Sequence, residues 1–126
     1  MTQPILIPLP ATDFDVTEVA VPWRLLTRAG HAVVFATERG GVPPTCDPRT
    51  LCGAMFGLFP AAREARGFYE ELSRSPEFLA PIAWDSIKPE RVAALLLPGG
   101  HAPGMRQYLG SRTLQEKVAA FWILER

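Results

Sequence analysis

Apolar residues fall on consecutive positions in three short runs of this chain and recur at helical spacing in three longer ones. Residues 3–9 form the first run. A stretch without polar alternation is the pattern of a strand covered on both faces, and Pro10 with Asp13 closes it. Asp15-Val16-Thr17-Glu18 then fits a capping box, in which the Asp15 side chain takes an orphan amide and Glu18 reaches back to the cap. The helix so opened is expected to reach Ala29, with Val19, Trp23, Leu25 and Leu26 recurring on its apolar side, Arg24 and Arg28 elsewhere, and Gly30 as the stop. Pro22 is its irregularity: without an N–H it removes one backbone bond and kinks the helix, unless the regular helix begins near Pro22 itself.

Residues 32–37, β-branched and aromatic, read as a second buried strand. Strand, helix and strand within about forty residues make a βαβ unit, which crosses over right-handedly with its strands parallel. Residues 38–60 differ in kind. Gly40-Gly41, Pro43-Pro44, Asp47-Pro48, Gly53 and Gly57 punctuate them too densely for a long element, so they form an extended excursion over the core or over a site. Helical composition returns at 61–73, with Ala65, Phe68, Tyr69 and Leu72 on one side and Arg63, Arg66 and Glu70 on a solvated face carrying i,i+4 pairs. After Pro76 and Pro81 comes a linker in which Asp85 or Ser86 caps a turn. Residues 92–97 are a third buried strand, cut off by Pro98-Gly99-Gly100. Thr113-Leu114-Gln115-Glu116 is a second capping box, opening a helix with Leu114, Val118, Phe121 and Trp122 at near-helical spacing. Trp23, Phe68, Tyr69 and Trp122 are expected in the core.

The length of 126 residues suits one domain or part of one. Lys plus Arg balance Asp plus Glu at 13 each, so no global field draws the chain to nucleic acid or to an anionic membrane. The N-terminus does not read as a signal peptide, and no apolar stretch approaches the ~20 residues of a membrane span; a cytoplasmic protein is expected. Cys46 and Cys52 are expected to stay thiols in that compartment. With His31 and His101 they match no zinc spacing, and no metal or cofactor is expected.

Strands that end in glycine turns place backbone amides at the carboxyl edge of a parallel sheet, where open α/β folds bind ligands. Two loops qualify, residues 10–17 and 98–110. Gly99 and Gly104 have the spacing of a phosphate cradle, but Met105 and Arg106 stand where it needs Lys and Ser or Thr, and no G-x-G-x-x-G follows the first strand. Nucleotide binding is therefore not expected. Glu18 reads either as a cap that complements the helix dipole or as a functional carboxyl. Gly99-Gly100 reads as a strand exit needing positive φ or as a source of oxyanion-binding amides. His101 reads as a loop histidine bonded to backbone or as an acid or base.

The first strand, Glu18-Val19-Ala20-Val21-Pro22, the helix end at Gly30 and Leu97-Pro98-Gly99-Gly100-His101 together resemble the ThiJ/PfpI family of the class I glutamine amidotransferase-like superfamily. The resemblance is strongest to the larger branch, which includes chaperones with glyoxalase III activity (methylglyoxal to lactate) and proteins described as intracellular proteases or amidases. It implies a three-layer flavodoxin-like α/β fold with a reactive cysteine on a sharp turn after the next strand. It also implies that Glu18 is buried beside that cysteine and tunes it, since a desolvated carboxyl stays partly protonated and can donate to a thiolate. The Gly100 amide would contribute to an oxyanion hole, with Gly99 and His101 beside it. The family's A-x-C-H-G-like nucleophile turn lies just past the helix that ends this chain, and Cys46 and Cys52, without an adjacent histidine, do not replace it. A sheet incomplete on its C-terminal side is expected. Two readings follow: a piece of an enzyme or chaperone that needs its missing segment before it takes a small carbonyl or amide-type substrate, or a non-catalytic homodimeric binding module that covers the open edge with its own copy.

Overall fold

Four parallel strands, β1 (Ile5–Pro8), β2 (Val33–Thr37), β3 (Ile82–Ala83) and β4 (Ala94–Leu95), form one sheet in the order β3-β2-β1-β4. The coordinates are a computed structural model that describes residues 2–52 and 62–124; the glycines expected to punctuate the excursion at 53 and 57 lie outside the described residues. Pairing runs Ile5 to Val33 through Pro8 to Ala36 on one side of β1, and Ile5 to Ala94 and Leu6 to Leu95 on the other. All four residues of β1 are buried, as a run without alternation requires. The two faces divide them by period two: Ile7 with Val33 and Phe35 belongs to one apolar cluster, and Leu6 with Ala36 to another.

Over the first face lie α1 (Val16–Arg28), α3 (Arg63–Leu72) and α4 (Pro76–Leu79), which contribute Val19, Trp23, Phe68, Leu72 and Phe78. Over the second lie α5 (Met105–Leu109), α6 (Arg112–Ile123) and two 3-10 turns at Trp84–Ser86 and Pro89–Arg91. The result is a three-layer α/β fold of the flavodoxin-like kind. The short α2 (Pro48–Cys52) ends the described part of the excursion.

Asp15 caps α1 through its side chain, which accepts from Glu18 N at 3.0 Å. The helix continues across Pro22 as one element, starting at Val16 rather than at the proline. Leu25, expected on the apolar side, is 58 % exposed, because α3 covers the side that carries Val19 and Trp23. Arg24 and Arg28 belong to that α1–α3 contact. Arg24 meets Glu71 at 3.1 Å, and the Arg28 guanidinium stands 5.0 Å over the Phe68 ring. Both partners of the ion pair are partly exposed, so it adds about 0–1 kcal/mol.

Several local expectations are corrected. The sheet has four strands rather than three, because β3 pairs only Ile82 and Ala83 with Ala36 and Thr37, too few residues to show a period. The linker also holds α4, capped by Ser75, and the loop at 98–110 holds α5. Residues 92–97 are not buried on both sides: Val92 is, Leu95 is half-buried and Leu97 is 51 % exposed. Among the described residues nothing pairs with the outer edge of β4. The cap of α6 is Ser111, whose hydroxyl accepts from Leu114 N at 3.1 Å, two positions before the expected Thr113. Leu114 and Phe121 lie in the core, whereas Trp122, next to Phe121 and about 100° round the helix from it, is 80 % exposed.

Removing the Ser111 cap is expected to cost about 1 kcal/mol, whereas Thr113→Ala should stay within about 0.5 kcal/mol; urea denaturation of the two variants checks the assignment. Trp84 is fully buried with its indole N–H donating to Ala36 O at 3.0 Å, so Trp84→Ala should cost about 3–5 kcal/mol in the same measurement.

Candidate functional site

The carboxyl ends of β1, β2 and β4 lead into three loops that hydrogen-bond to one another. Asp13 adopts φ 73°, which turns its carboxylate toward the loop after β4, where Oδ2 accepts from Gly104 N at 2.8 Å. A side chain at 104 has no room: its Cβ would strike Thr12 Oγ1 and lie 2.6 Å from Asp13 Oδ2. Gln107, on α5, accepts from Ala11 N at 2.7 Å and donates to Glu38 Oε2 at 2.5 Å, drawing in the loop after β2. Local pattern marks Asp13 only as a strand stop and Gly104 only as part of a phosphate-cradle spacing, and does not mark Thr12 or Gln107, because the hydrogen bonds of this clamp join residues 69 to 96 positions apart.

This clamp brings the end of β4 against the first turn of α1. The Glu18 carboxylate does not reach back to Asp15 to complete the capping box. It lies 3.2 Å (Oε2) and 3.4 Å (Oε1) from where a Cβ on Gly99 would stand. A Cβ on Gly100 would lie 2.9 Å from the Met105 side chain and 3.2 Å from Asp13 O. Neither glycine has positive φ, which among the described glycines is confined to Gly30, Gly40 and Gly41. The expectation that positive φ explains the diglycine is therefore corrected: what the two positions share is the close approach of neighbouring side chains, which a Cβ would crowd. Pro98 has no N–H, and the amides of Gly99 and Gly100 make no hydrogen bond among the described residues.

The burial of Glu18 implied by the family resemblance is not provided by the described residues: the side chain is exposed, because nothing among them lies over this end of β4. His101 is exposed too, and forms no hydrogen bond to backbone among the described residues.

Tyr108 is not among the residues that the glycine-flanked segment singles out, and Met105 and Tyr108, three positions apart on α5, are the apolar signal that marks the helix. Its side chain is 7 % exposed, its ring meets Trp84 edge-on at 6.5 Å, and its hydroxyl oxygen is sealed from solvent. Burial, with the nearby Glu18 carboxylate adding to it, pushes the phenol up to about 12. Beside it, a groove of about 680 Å³ lies between the segment after β4 and α5 and α6, lined by Leu97, Pro98, Leu114, Val118 and Trp122 among others.

The two thiols lie elsewhere. Cys46 is half-buried, bridges to Phe14 in parallel, and packs with Val16, Ala65 and Tyr69. Burial pushes its thiol up, although a hydrogen bond with Tyr69 offsets part of that; burial raises Tyr69 as well. Cys52 is exposed at the end of α2. Among the described residues no group of three or more His, Cys, Asp or Glu side chains is placed to hold a metal ion, and no helix is long and apolar enough to cross a membrane.

Residues 9–126 match a sequence profile described as ThiJ/PfpI family-like. An uncharacterized protein of Schizosaccharomyces pombe is 31 % identical over 122 residues, which cover 95 % of this chain and 45 % of the relative. The X-ray structure of Francisella tularensis Rapid Encystment Protein 24 KDa superposes with a TM-score of 0.67 at 12 % identity, over 97 % of this chain and 55 % of the other, a likeness of fold. The chain thus spans about half the length of both.

Tyr69 and Tyr108 are the two tyrosines of the chain, and both should titrate above the ordinary value of 10 while the protein is folded. Tyrosinate absorbance against pH checks this. Because the folded pKa of Tyr108 is raised, its contribution to stability is complete below pH 10 and is lost as pH rises from 10 to about 12. Tyr108→Phe should flatten that alkaline decline in the unfolding free energy.

Proposed function

This chain belongs to the ThiJ/PfpI family, and from that membership we propose that it carries one half of a cysteine-dependent site for a small carbonyl or amide compound. In this reading Glu18 tunes a thiol, the Gly100 amide serves as an oxyanion donor, Gly99 leaves room for the carboxylate, and the sulfur comes from outside residues 1–126. The observation that carries the reading is the Glu18 carboxylate within 3.2–3.4 Å of the Gly99 Cβ position, beside two amides without hydrogen bonds among the described residues.

The chemistry follows from that placement. A thiolate held over Glu18 adds to the carbonyl carbon, the C=O electron pair moves onto oxygen, and the oxyanion accepts a hydrogen bond from the Gly100 N–H. In this reading the sulfur lies against the Glu18 carboxyl, whose acid form donates a hydrogen bond to the thiolate. Glyoxalase III-type conversion of methylglyoxal and amide hydrolysis both begin with such an addition. Cys46 does not fit the role, since a raised thiol pKa lowers the thiolate fraction at neutral pH.

A second reading, a homodimeric binding module, is supported by the edge of β4 that nothing among the described residues pairs with, and by Leu97, Leu109, Trp122 and Ile123, which are 51 to 80 % exposed. Sedimentation of the purified 126-residue chain distinguishes the two: a stable dimer abolished by Trp122→Glu favours the module.

For the enzymatic reading, the 126-residue chain by itself should not consume methylglyoxal. Turnover by this chain that disappears in Cys46→Ser would place the nucleophile inside it and overturn the assignment. Alkylation by iodoacetamide at pH 7 should modify Cys46 more slowly than free cysteine. Where a sulfur-bearing polypeptide restores turnover, Glu18→Ala should lower kcat by about 10²-fold.

A further inference from the structure

The loop after β2 carries two opposite charges side by side, Glu38 and Arg39, and among the described residues neither has an ion-pair partner. Gln107 fixes Glu38 by donating to its Oε2 at 2.5 Å, and the other carboxylate oxygen accepts no hydrogen bond among the described residues. The loop itself is held in place. Gly41 N donates to Pro81 O at 2.8 Å and Gly40 N to Thr37 Oγ1 at 3.0 Å, while Gly40 and Gly41 take φ 69° and 77°, a region that suits glycine. Thr37 is only 5 % exposed, and its hydroxyl, having accepted from Gly40, keeps its own hydrogen to donate.

These groups border a hollow of about 400 Å³ outside the carboxyl ends of β1 and β2, with Ala11, Val42 and Pro43 as apolar walls. Open parallel sheets take ligands along this edge, and the volume suits a small molecule. One cation, one anion and an apolar wall in the same hollow select among ligands by charge. A plain carboxylate is repelled by Glu38 and a plain amine by Arg39, whereas a molecule with both groups is attracted by both. Glu38 and Arg39 also border a hollow of about 270 Å³, but there Asp85 adds a second carboxylate, and Ser111 and Thr113 make the walls polar.

We propose that the 400 Å³ hollow binds a free α-amino acid with an aliphatic side chain. Arg39, with the Thr37 hydroxyl, takes the α-carboxylate, Glu38 takes the α-ammonium, and the side chain lies against Val42 and Pro43. The site is separate from Glu18 and Gly100 and does not depend on where the catalytic sulfur lies.

The test is an NMR titration of the 126-residue chain with L-leucine and with two probes that each lack one charge, 3-methylbutylamine and 4-methylpentanoate. Leucine is expected to shift the amides of Thr37, Gly40 and Val42 and the Gln107 side-chain amide, and to bind about fivefold more tightly than either probe, the scale of an exposed ion pair. Arg39→Gln should erase the preference over the amine and keep that over the acid. Glu38→Gln, whose amide oxygen still accepts from Gln107, should do the reverse, and an otherwise unchanged spectrum shows that both variants keep the fold. Equal affinity for the three compounds in the wild-type chain, a preference that survives both substitutions, or shifts confined to residues outside this hollow would each overturn the proposal.

Discussion

The contact on which the candidate site depends is the approach of the loop after β4 to the loop after β1, closed by the Asp13 carboxylate on the Gly104 amide. Parallel strands by themselves only set two chain ends side by side. What lets these ends touch is the absence of a side chain at 99, 100 and 104, where any Cβ would meet Glu18, Met105 or Thr12 at or inside van der Waals distance. Three glycines thus convert a sheet edge into a surface where a carboxylate and backbone amides share a few ångströms.

Around that contact the molecule is asymmetric. On the β2 side, the strand is followed by β3, and Gly40, with φ 69°, turns the chain so tightly that its Cβ would lie 2.7 Å from Ala83 N. On the β4 side no neighbour follows among the described residues, and Leu97 after the strand, Leu109 of α5 and Trp122 and Ile123 of α6 are exposed. The electrostatics follow the same division. Cys46 and Tyr69 are raised by burial within the α1–α3 layer, whereas Glu18 stands exposed next to the open groove. A thiol buried beside a phenol is a poor nucleophile, and a carboxyl at an uncovered edge is suited to act on a group brought to it.

Much of the fold was legible because its signals are local. The unbroken apolar runs of β1 and β2, the Asp15 cap and the amphipathic stripe of α3 each report on neighbours within a few positions. β3 was invisible because a two-residue strand has no period, and α4 and α5 are about one turn each. Trp122 is misplaced for a different reason. It is adjacent to Phe121, either aromatic could close the apolar stripe of α6, and only the packing of Leu114 and Phe121 under the sheet shows which side faces in.

The sequence by itself determined the class of fold, the parallel order of its first two strands and the two segments, one after β1 and one after β4, from which a site would be built, since periodicity and turn chemistry act over short spans. Only the tertiary structure decided that Glu18 turns from its own cap to Gly99, that the diglycine answers to crowding rather than to positive φ, and that Tyr108 lies sealed beside the groove. Most of those facts depend on approaches between residues more than 80 positions apart, such as Glu18 to Gly99 and Asp13 to Gly100, which no local pattern encodes.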